Sequence, residues 1–270
     1  MKRIILILVL VVFFVTATFV LGIYKLGWDG GAAKKFAEVA PLPAAIVAGK
    51  PVPLSDFWKL KGDSKAILED LVQDKIVVIL AREKNIEITS EELKQYSLYL
   101  LARFGLNEDL AGQEIYQQFG LTEEDFQRLV VVPDLTRNKL AIWWQEANRP
   151  NSAANRVNEA ERKLLEGLTF REVARLYSDD EQSRYIGGDL GFLALEELPP
   201  WFRDAITSLK LGDMSRIVAG PEGYYLFQAA ARDSVKDEIQ VKQIFIRNDG
   251  FEEFLVEQAT GFKILVFKGI

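Results

Sequence analysis

Polar side chains of the kind that do chemistry crowd into one short stretch, Ser178-Asp179-Asp180-Glu181-Gln182-Ser183, followed by Gly187-Gly188-Asp189-Leu190-Gly191. What they can do is narrowed by what is missing, because the 270 residues include no histidine and no cysteine. Imidazole base catalysis, thiol nucleophiles, disulfides and the usual structural zinc sites are therefore closed. A metal held by carboxylates alone stays open, but no DxDxDG-type loop is present, and no metal or cofactor is expected. The glycine run fits a sharp turn; it does not fit the G-x-G-x-x-G entry to a phosphate-binding helix. A serine hydrolase of the Ser/Lys type needs a paired lysine, and nothing nominates one. What remains in this stretch are carboxylates, hydroxyls and amides, which can orient and hydrogen-bond.

The elements that must position these residues follow from periodicity and caps. Residues 160–167 end an amphipathic helix at Gly167, Thr169–Leu176 form a second helix, and the polar loop Ser178–Ser183 follows it. After the glycine turn come a further helix and a strand entered through Gly223. Upstream, AAIVAGKPVPLSDF (44–57) reads as a short strand, a Gly-Lys turn and a helix entry. Ile67, Leu68, Leu71, Val72, Ile76, Ile79 and Leu80 share one face of the next helix. Thr89 and Glu92 form a capping box for a helix carrying Leu93, Tyr96, Leu100, Leu101 and Phe104. Asn107 caps a third helix that stops near Gly120, and Thr122 caps a fourth that runs towards Trp144 with a kink expected at Pro133.

The N-terminus bears on compartment. Met1-Lys2-Arg3 precedes Ile4–Ile23, twenty residues without a charge. At 1.5 Å per residue that is ~30 Å of helix, about one bilayer core. The run is longer than a typical signal-peptide core, and bulky Phe19, Leu21, Ile23 and Tyr24 fill the cleavage zone, which favours an uncleaved anchor. Lys2 and Arg3 argue for a cytoplasmic N-terminus, while Lys25, Lys34 and Lys35 follow on the other side. Residues 25–43 read as a linker broken by Gly30-Gly31 and stiffened by Pro41 and Pro43. A net charge of −6 with scattered basic residues gives no footprint for nucleic acid.

The order YSDD, GGDLG, WF.DAI..L..GDMS and GYYLF over about 70 residues (160–228) resembles the parvulin-type peptidyl-prolyl isomerase domain of SurA-like and PrsA-like foldases. The stretches AAIVAGKPVPLSDF, LEDLVQDKIVVILAREKNIEITSEEL and FGLTEEDFQRL resemble the helical N-terminal domain of SurA-type chaperones. The resemblance implies an α+β chain with an anchor helix (1–24), a linker (25–43), a helical chaperone domain (44–150) and a parvulin-like antiparallel sheet with flanking helices (151–270).

One family element is displaced. A parvulin domain opens with a V-x-H-I-L strand, but NRPNSAANRVNEAERK is too polar to be a buried strand. The pattern sits instead in IQVKQIFI, residues 239–246. A hairpin from Tyr224–Ala231 into Ile239–Ile246 would seat it in the vacant slot, since antiparallel neighbours need only a short loop. The domain thus reads as circularly permuted, with a short helix at 251–259 and a last strand at 262–267. An unrelated domain beginning at residue 239 would have only 32 residues to fold with.

Carried across position by position, the resemblance implies a proline pocket of Leu190, Leu198 and Phe202, with Glu222 at the polar position before the last strand. It puts Asp180 beside the rotating amide with Ser178 nearby, and Gln243 and Tyr225 where the family has a pair of histidines. Taken singly, Leu190, Leu198 and Phe202 read as plain core, Asp180 as a helix-end or Asx turn, and Tyr225 as strand packing against Phe227. The implied function is a membrane-anchored, extracytoplasmic prolyl isomerase acting on X-Pro segments of unfolded or newly exported polypeptides. The alternatives are a catalytically silent peptide-binding chaperone and an envelope scaffold with one fixed partner.

Overall fold

The computed structural model describes residues 2–148 and 151–267. Contacts divide the chain into two compact units: Met1–Ile76 with Phe119–Leu121 and Gln258–Ile270, and Val77–Gln118 with Thr122–Glu257. These units cut elsewhere than the boundaries read from sequence. The helices after residue 76 cluster with the sheet that carries the candidate site, and the boundary at 150/151 falls on Arg149–Pro150, outside the described residues.

In the first unit, helix α1 (Lys2–Leu26) is long and apolar enough to cross a membrane, with mean hydropathy 2.2 over Val9–Leu26. Its two ends differ. Val9–Val15 are exposed, whereas Ile23 is fully buried and Trp28 folds back so that its ring lies against Gly22. The stretch expected to be a linker contains helix α2 (Gly31–Val39), a correction with a simple cause. Gly30 is an extended N-cap instead of a break, Ala33 and Ala37 are buried, and Phe36 stacks on Phe19 at 4.5 Å. Strands β1 (Pro43–Val47) and β2 (Lys50–Pro53) form a hairpin, where the sequence read a single strand and a turn before the helix entry; Ala48 and Gly49 are both at positive φ in its turn, and helix α3 (Leu54–Lys59) follows.

Helix α4 (Ser64–Glu83) buries Leu71, Ile76, Val77, Leu80 and Ala81, so its inner stripe lies one step round from the expected one, with Ile67, Leu68, Val72 and Ile79 half-buried. Helix α5 (Ser90–Arg103) begins at the Thr89–Glu92 capping box and buries Tyr96, Tyr99, Leu100 and Leu101; Phe104 is its exposed C-cap. Asn107 caps a 3₁₀ turn leading into helix α6 (Ala111–Phe119). Helices α7 (Glu123–Phe126) and α8 (Val132–Ala147) are joined by a π-helical turn at Gln127–Val131, just ahead of Pro133. Pro133 has no N–H for the carbonyl four residues back, and the ladder reregisters just ahead of it, at the place where the sequence predicts a kink.

The polar segment after Pro150 is helix α9 (Ser152–Leu165), capped by Asn151, with Ala153, Ala154, Val157 and Ala160 buried. Helix α10 (Phe170–Tyr177) starts at a second capping box, Thr169–Glu172. Strand β3 (Asp189–Ala194), helix α11 (Pro200–Thr207), strands β4 (Val218–Gly220), β5 (Gly223–Asp233) and β6 (Glu238–Arg247) complete this part. The sheet is antiparallel with order β3-β6-β5-β4, so the last strand in sequence lies in the interior. Alternation sorts it into two faces. Tyr224, Leu226, Ile244 and Ile246 pack on α9 and α10, while Tyr225, Phe227, Val241 and Phe245 pack with Leu198, Phe202 and Ile206 around α11. Helix α12 (Gly250–Thr260) follows as expected. The last strand, β7 (Ile264–Val266), does not join this sheet; it pairs antiparallel with β1 in the first unit.

A chain ending at Asp237 loses the interior strand, which leaves β3 without a strand partner and β5 paired only with the short β4. Residues 151–236 are then expected to lose their cooperative urea transition by circular dichroism. A truncated chain that unfolds as cooperatively as the full one would overturn this arrangement.

Candidate functional site

The pairing of β5 with β6 sets Tyr225 opposite Phe245 and Phe227 opposite Gln243, all on the face turned towards α11. Three aromatic rings of this face are in close register: Tyr225 stacks on Phe245 at 4.7 Å and on Phe227 at 5.7 Å. Helix α11, begun at the Pro199-Pro200 step, supplies the opposing rings. Phe202 stacks on Phe227 at 4.2 Å, and Trp201 lies 4.9 Å from Tyr225 at 47°. Each ring buries well over a hundred Å², so this layer is at once core and wall.

The polar part of the site hangs on the edge of β6. Asp179 N–H donates to the Phe245 carbonyl at 2.7 Å, and the buried Ser178 Oγ accepts from Phe245 N–H at 3.1 Å and Asp180 N–H at 3.3 Å. The loop therefore takes up backbone groups of β6 beyond the reach of β3. The Gly188 carbonyl accepts from Gln243 N–H at 2.8 Å. Gly188 has φ +78°, and a Cβ there would lie 2.3 Å from the Gln243 carbonyl oxygen, so only glycine lets the turn come this close. Gly223, at the entry to β5, is constrained in the same way: a Cβ there would lie 2.2 Å from the Ile246 carbonyl oxygen.

With loop and strand so joined, Gln243 Nε2 donates to Asp180 Oδ2 at 2.8 Å. Ser183 Oγ donates to the same oxygen, and Gln182 N–H donates to Oδ1 at 3.2 Å. Asp179 is gripped from the other side by both terminal nitrogens of Arg156, at 2.8 Å each, and by Arg247 N–H. Burial pushes both carboxyls up, but these hydrogen bonds outweigh it and hold both below the usual carboxylate range. Burial pushes the Tyr225 hydroxyl well above its ordinary value, and the nearby Glu222 charge adds to that. The site therefore carries an anionic Asp180 and a neutral Tyr225 across ordinary pH.

These residues frame a recess of about 990 Å³ with Asp180, Gln243 and Glu222 on its rim and Trp201, Phe202, Tyr225 and Phe245 in its wall. Of the residues expected to gather, Asp180, Gln243, Tyr225, Phe202 and Glu222 line it. Ser178 lies beneath, holding the loop to β6. Leu190 and Leu198 do not line it; Leu198 is buried in the hydrophobic cluster that holds Phe202, Tyr225 and Phe245, and Leu190 packs against that cluster. Trp201 and Phe245 were not singled out from sequence. The alternation in IQVKQIFI carried the signal for Phe245, on the same face as Gln243, and Trp201 was legible only as the neighbour of Phe202. Among the described residues, no group of three or more His, Cys, Asp or Glu side chains could hold a metal ion.

The family model for the PPIC-type PPIase (rotamase) domain matches residues 138–231, a span that stops short of β6. The foldase protein PrsA 2 of Bacillus anthracis is 33% identical over 114 residues, 42% of this chain and 40% of that protein. The foldase protein PrsA of Geobacillus kaustophilus is 25% identical over 197 residues, 66% of each chain. The chaperone SurA of Nitrosococcus oceani is 29% identical over 103 residues, 36% of this chain and 24% of that protein. A crystal structure of B. anthracis PrsA at 1.70 Å covers 72% of this chain and 86% of its own, at 19% identity and a TM-score of 0.23. The chain thus spans between about a quarter and two thirds of the length of the curated relatives it matches.

Depressed carboxyls contribute stability above the unfolded carboxylate value of ~3.9, and that contribution is lost as pH falls through their folded values. Carbon-detected NMR titration should place the Asp179 and Asp180 midpoints below ~3.9 and show no ionisation of Tyr225 up to pH ~10. A midpoint between pH ~5 and ~8 for any of the three would contradict the hydrogen-bonding scheme.

Proposed function

For a chain that is PrsA/SurA-like and carries a parvulin-type rotamase domain, we propose that it is a prolyl isomerase and foldase for exported polypeptides, acting at the aromatic recess beside Asp180. The observation that carries this reading is the hydrogen bond from Gln243 to Asp180 above the Phe202–Tyr225 wall. An X-Pro bond is held planar by amide resonance behind ~18–20 kcal/mol, and free exchange takes tens to hundreds of seconds. Catalysis here needs no covalent step. The rings of Trp201, Phe202, Tyr225 and Phe245 grip the pyrrolidine and exclude water. Resonance puts excess negative charge on the planar amide's carbonyl oxygen. A fixed carboxylate nearby disfavours that distribution and so favours the twisted amide, in which the resonance is broken. Gln243 and Ser183 hold Asp180 in its anionic state, and Ser178 holds the loop. Gln243 and Tyr225 keep the lattice polar at the positions where the family carries histidines. In this reading β6 is the family's first strand moved to the end of the domain.

A second reading, a peptide-holding chaperone, draws support from the absence of histidine and from a groove of 880 Å³ among α5, α6, α7 and the π turn. Leu93, Leu98, Leu101, Ile115, Phe126 and Val131 line it, an apolar surface suited to unfolded segments. The exposed apolar part of α1 supports a membrane anchor, with the bulk of the chain outside the cell or in the periplasm.

In a protease-coupled or exchange-NMR assay with an Ala-Pro peptide series, the full chain in detergent is expected to accelerate isomerisation. Phe202→Ala should weaken it most while costing ~3–5 kcal/mol of stability. Asp180→Ala should cost less in folding and more in turnover per folded molecule, and Gln243→His should raise the rate. Wild-type protein that matches buffer yet suppresses aggregation leaves only the chaperone reading.

The anchor is tested by fractionation. The intact chain is expected to pellet with membranes and to be digested by protease added from outside, through the outer membrane where there is one. A soluble, N-terminally trimmed product would mean that α1 is a removed signal.

A further inference from the structure

A second recess, of about 400 Å³, adjoins the first and shares Trp201, Glu222 and Tyr225 with it. Its far wall comes from the preceding helices: Tyr99 and Arg103 of α5 and Arg137 of α8, with Phe251 of α12. Most of its charges are already satisfied. Arg137 Nη2 donates to both carboxylate oxygens of Glu252, at 2.5 and 2.7 Å, and Asp134 accepts from Tyr96 Oη at 2.7 Å. Glu222 is different. It is exposed, it stands on the boundary of both recesses, and its carboxylate has no ion-pair partner among the described residues.

The surrounding field has the same sign. Three arginines and five carboxylates line the first recess. Arg156 is taken up by Asp179, while Arg184 and Arg247 lie over the Tyr185 and Phe245 rings. The remaining excess is negative, on a chain of net charge −6. An extended peptide advances about 3.3 Å per residue. With its proline in the first recess, it carries a flanking side chain over the Trp201–Tyr225 ridge, whose rings are 4.9 Å apart, past Glu222 and into the second.

Building on the isomerase reading, we propose that the two recesses form one peptide track in which Glu222 selects a lysine or arginine flanking the proline. The helices α5 and α8 then serve the isomerase directly, by closing the far side of the track. Because Glu222 is exposed, the selection is modest and weakens with salt.

The test uses the full chain in detergent and two peptide series, with Lys, Leu or Glu immediately before the proline in one and immediately after it in the other. At low salt, kcat/KM is expected to run Lys above Leu above Glu in at least one series, about three- to fivefold between the extremes, with compression at 0.5 M salt. Glu222→Gln should level the order and Glu222→Lys should invert it, with the thermal midpoint unchanged in both. Equal rates in both series, or a lysine preference that survives Glu222→Gln, overturns the proposal. If no peptide is accelerated, the isomerase reading fails on its own. Anisotropy of the same peptides, fluorescently labelled, then reads the charge preference as affinity, and the same two outcomes decide it.

Discussion

Hydrogen bonding along both edges of β6 is the constraint on which the rest of this part of the molecule depends. Its ladder with β5 runs from Glu238 to Arg247, and β3 covers the opposite edge only as far as Lys242. Beyond that point the edge is completed by the Gly188 carbonyl on Gln243 and by Ser178–Asp179 on Phe245. Buried backbone groups left without partners cost as much as lost hydrogen bonds, so the loop and the glycine turn are held where the strand needs them. Asp180 meets Gln243 because that accounting has already been met on either side of it.

A site built without histidine has a particular electrostatic character. Its carboxylate is fixed in the charged form by donors, and its phenol is fixed in the neutral form by burial. Neither changes state near neutral pH, so the arrangement offers a constant field and constant donors, not a movable proton. That suits a reaction whose barrier is the loss of amide resonance and in which no proton need be exchanged.

The aromatic layer serves two purposes that cannot be separated by mutation alone. Phe227 is fully buried and Phe202 nearly so, yet Phe202 also faces the recess with Trp201 and Tyr225. The same rings thus pack the core and line the recess, while Leu190 and Leu198 belong to the same cluster without lining it.

Sequence alone determined most of the local elements, and for local reasons. The capping boxes at Thr89 and Thr169, the stop at Gly167, the break ahead of Pro133 and the β5–β6 hairpin are each set by residues within a few positions of one another. Alternation in IQVKQIFI fixed which of its residues share the face of Gln243, and motif order nominated Asp180. Tertiary structure decided the rest. That Gly31–Val39 is a helix depends on Phe19 lying under Phe36, and that β7 leaves the site's sheet depends on β1 offering it a free edge. Which apolar residues line the recess was likewise settled by packing: Trp201 and Phe245 do, and Leu190 and Leu198 do not. Periodicity reports which face a side chain belongs to, but only packing in three dimensions settles which of several side chains on that face ends at the surface.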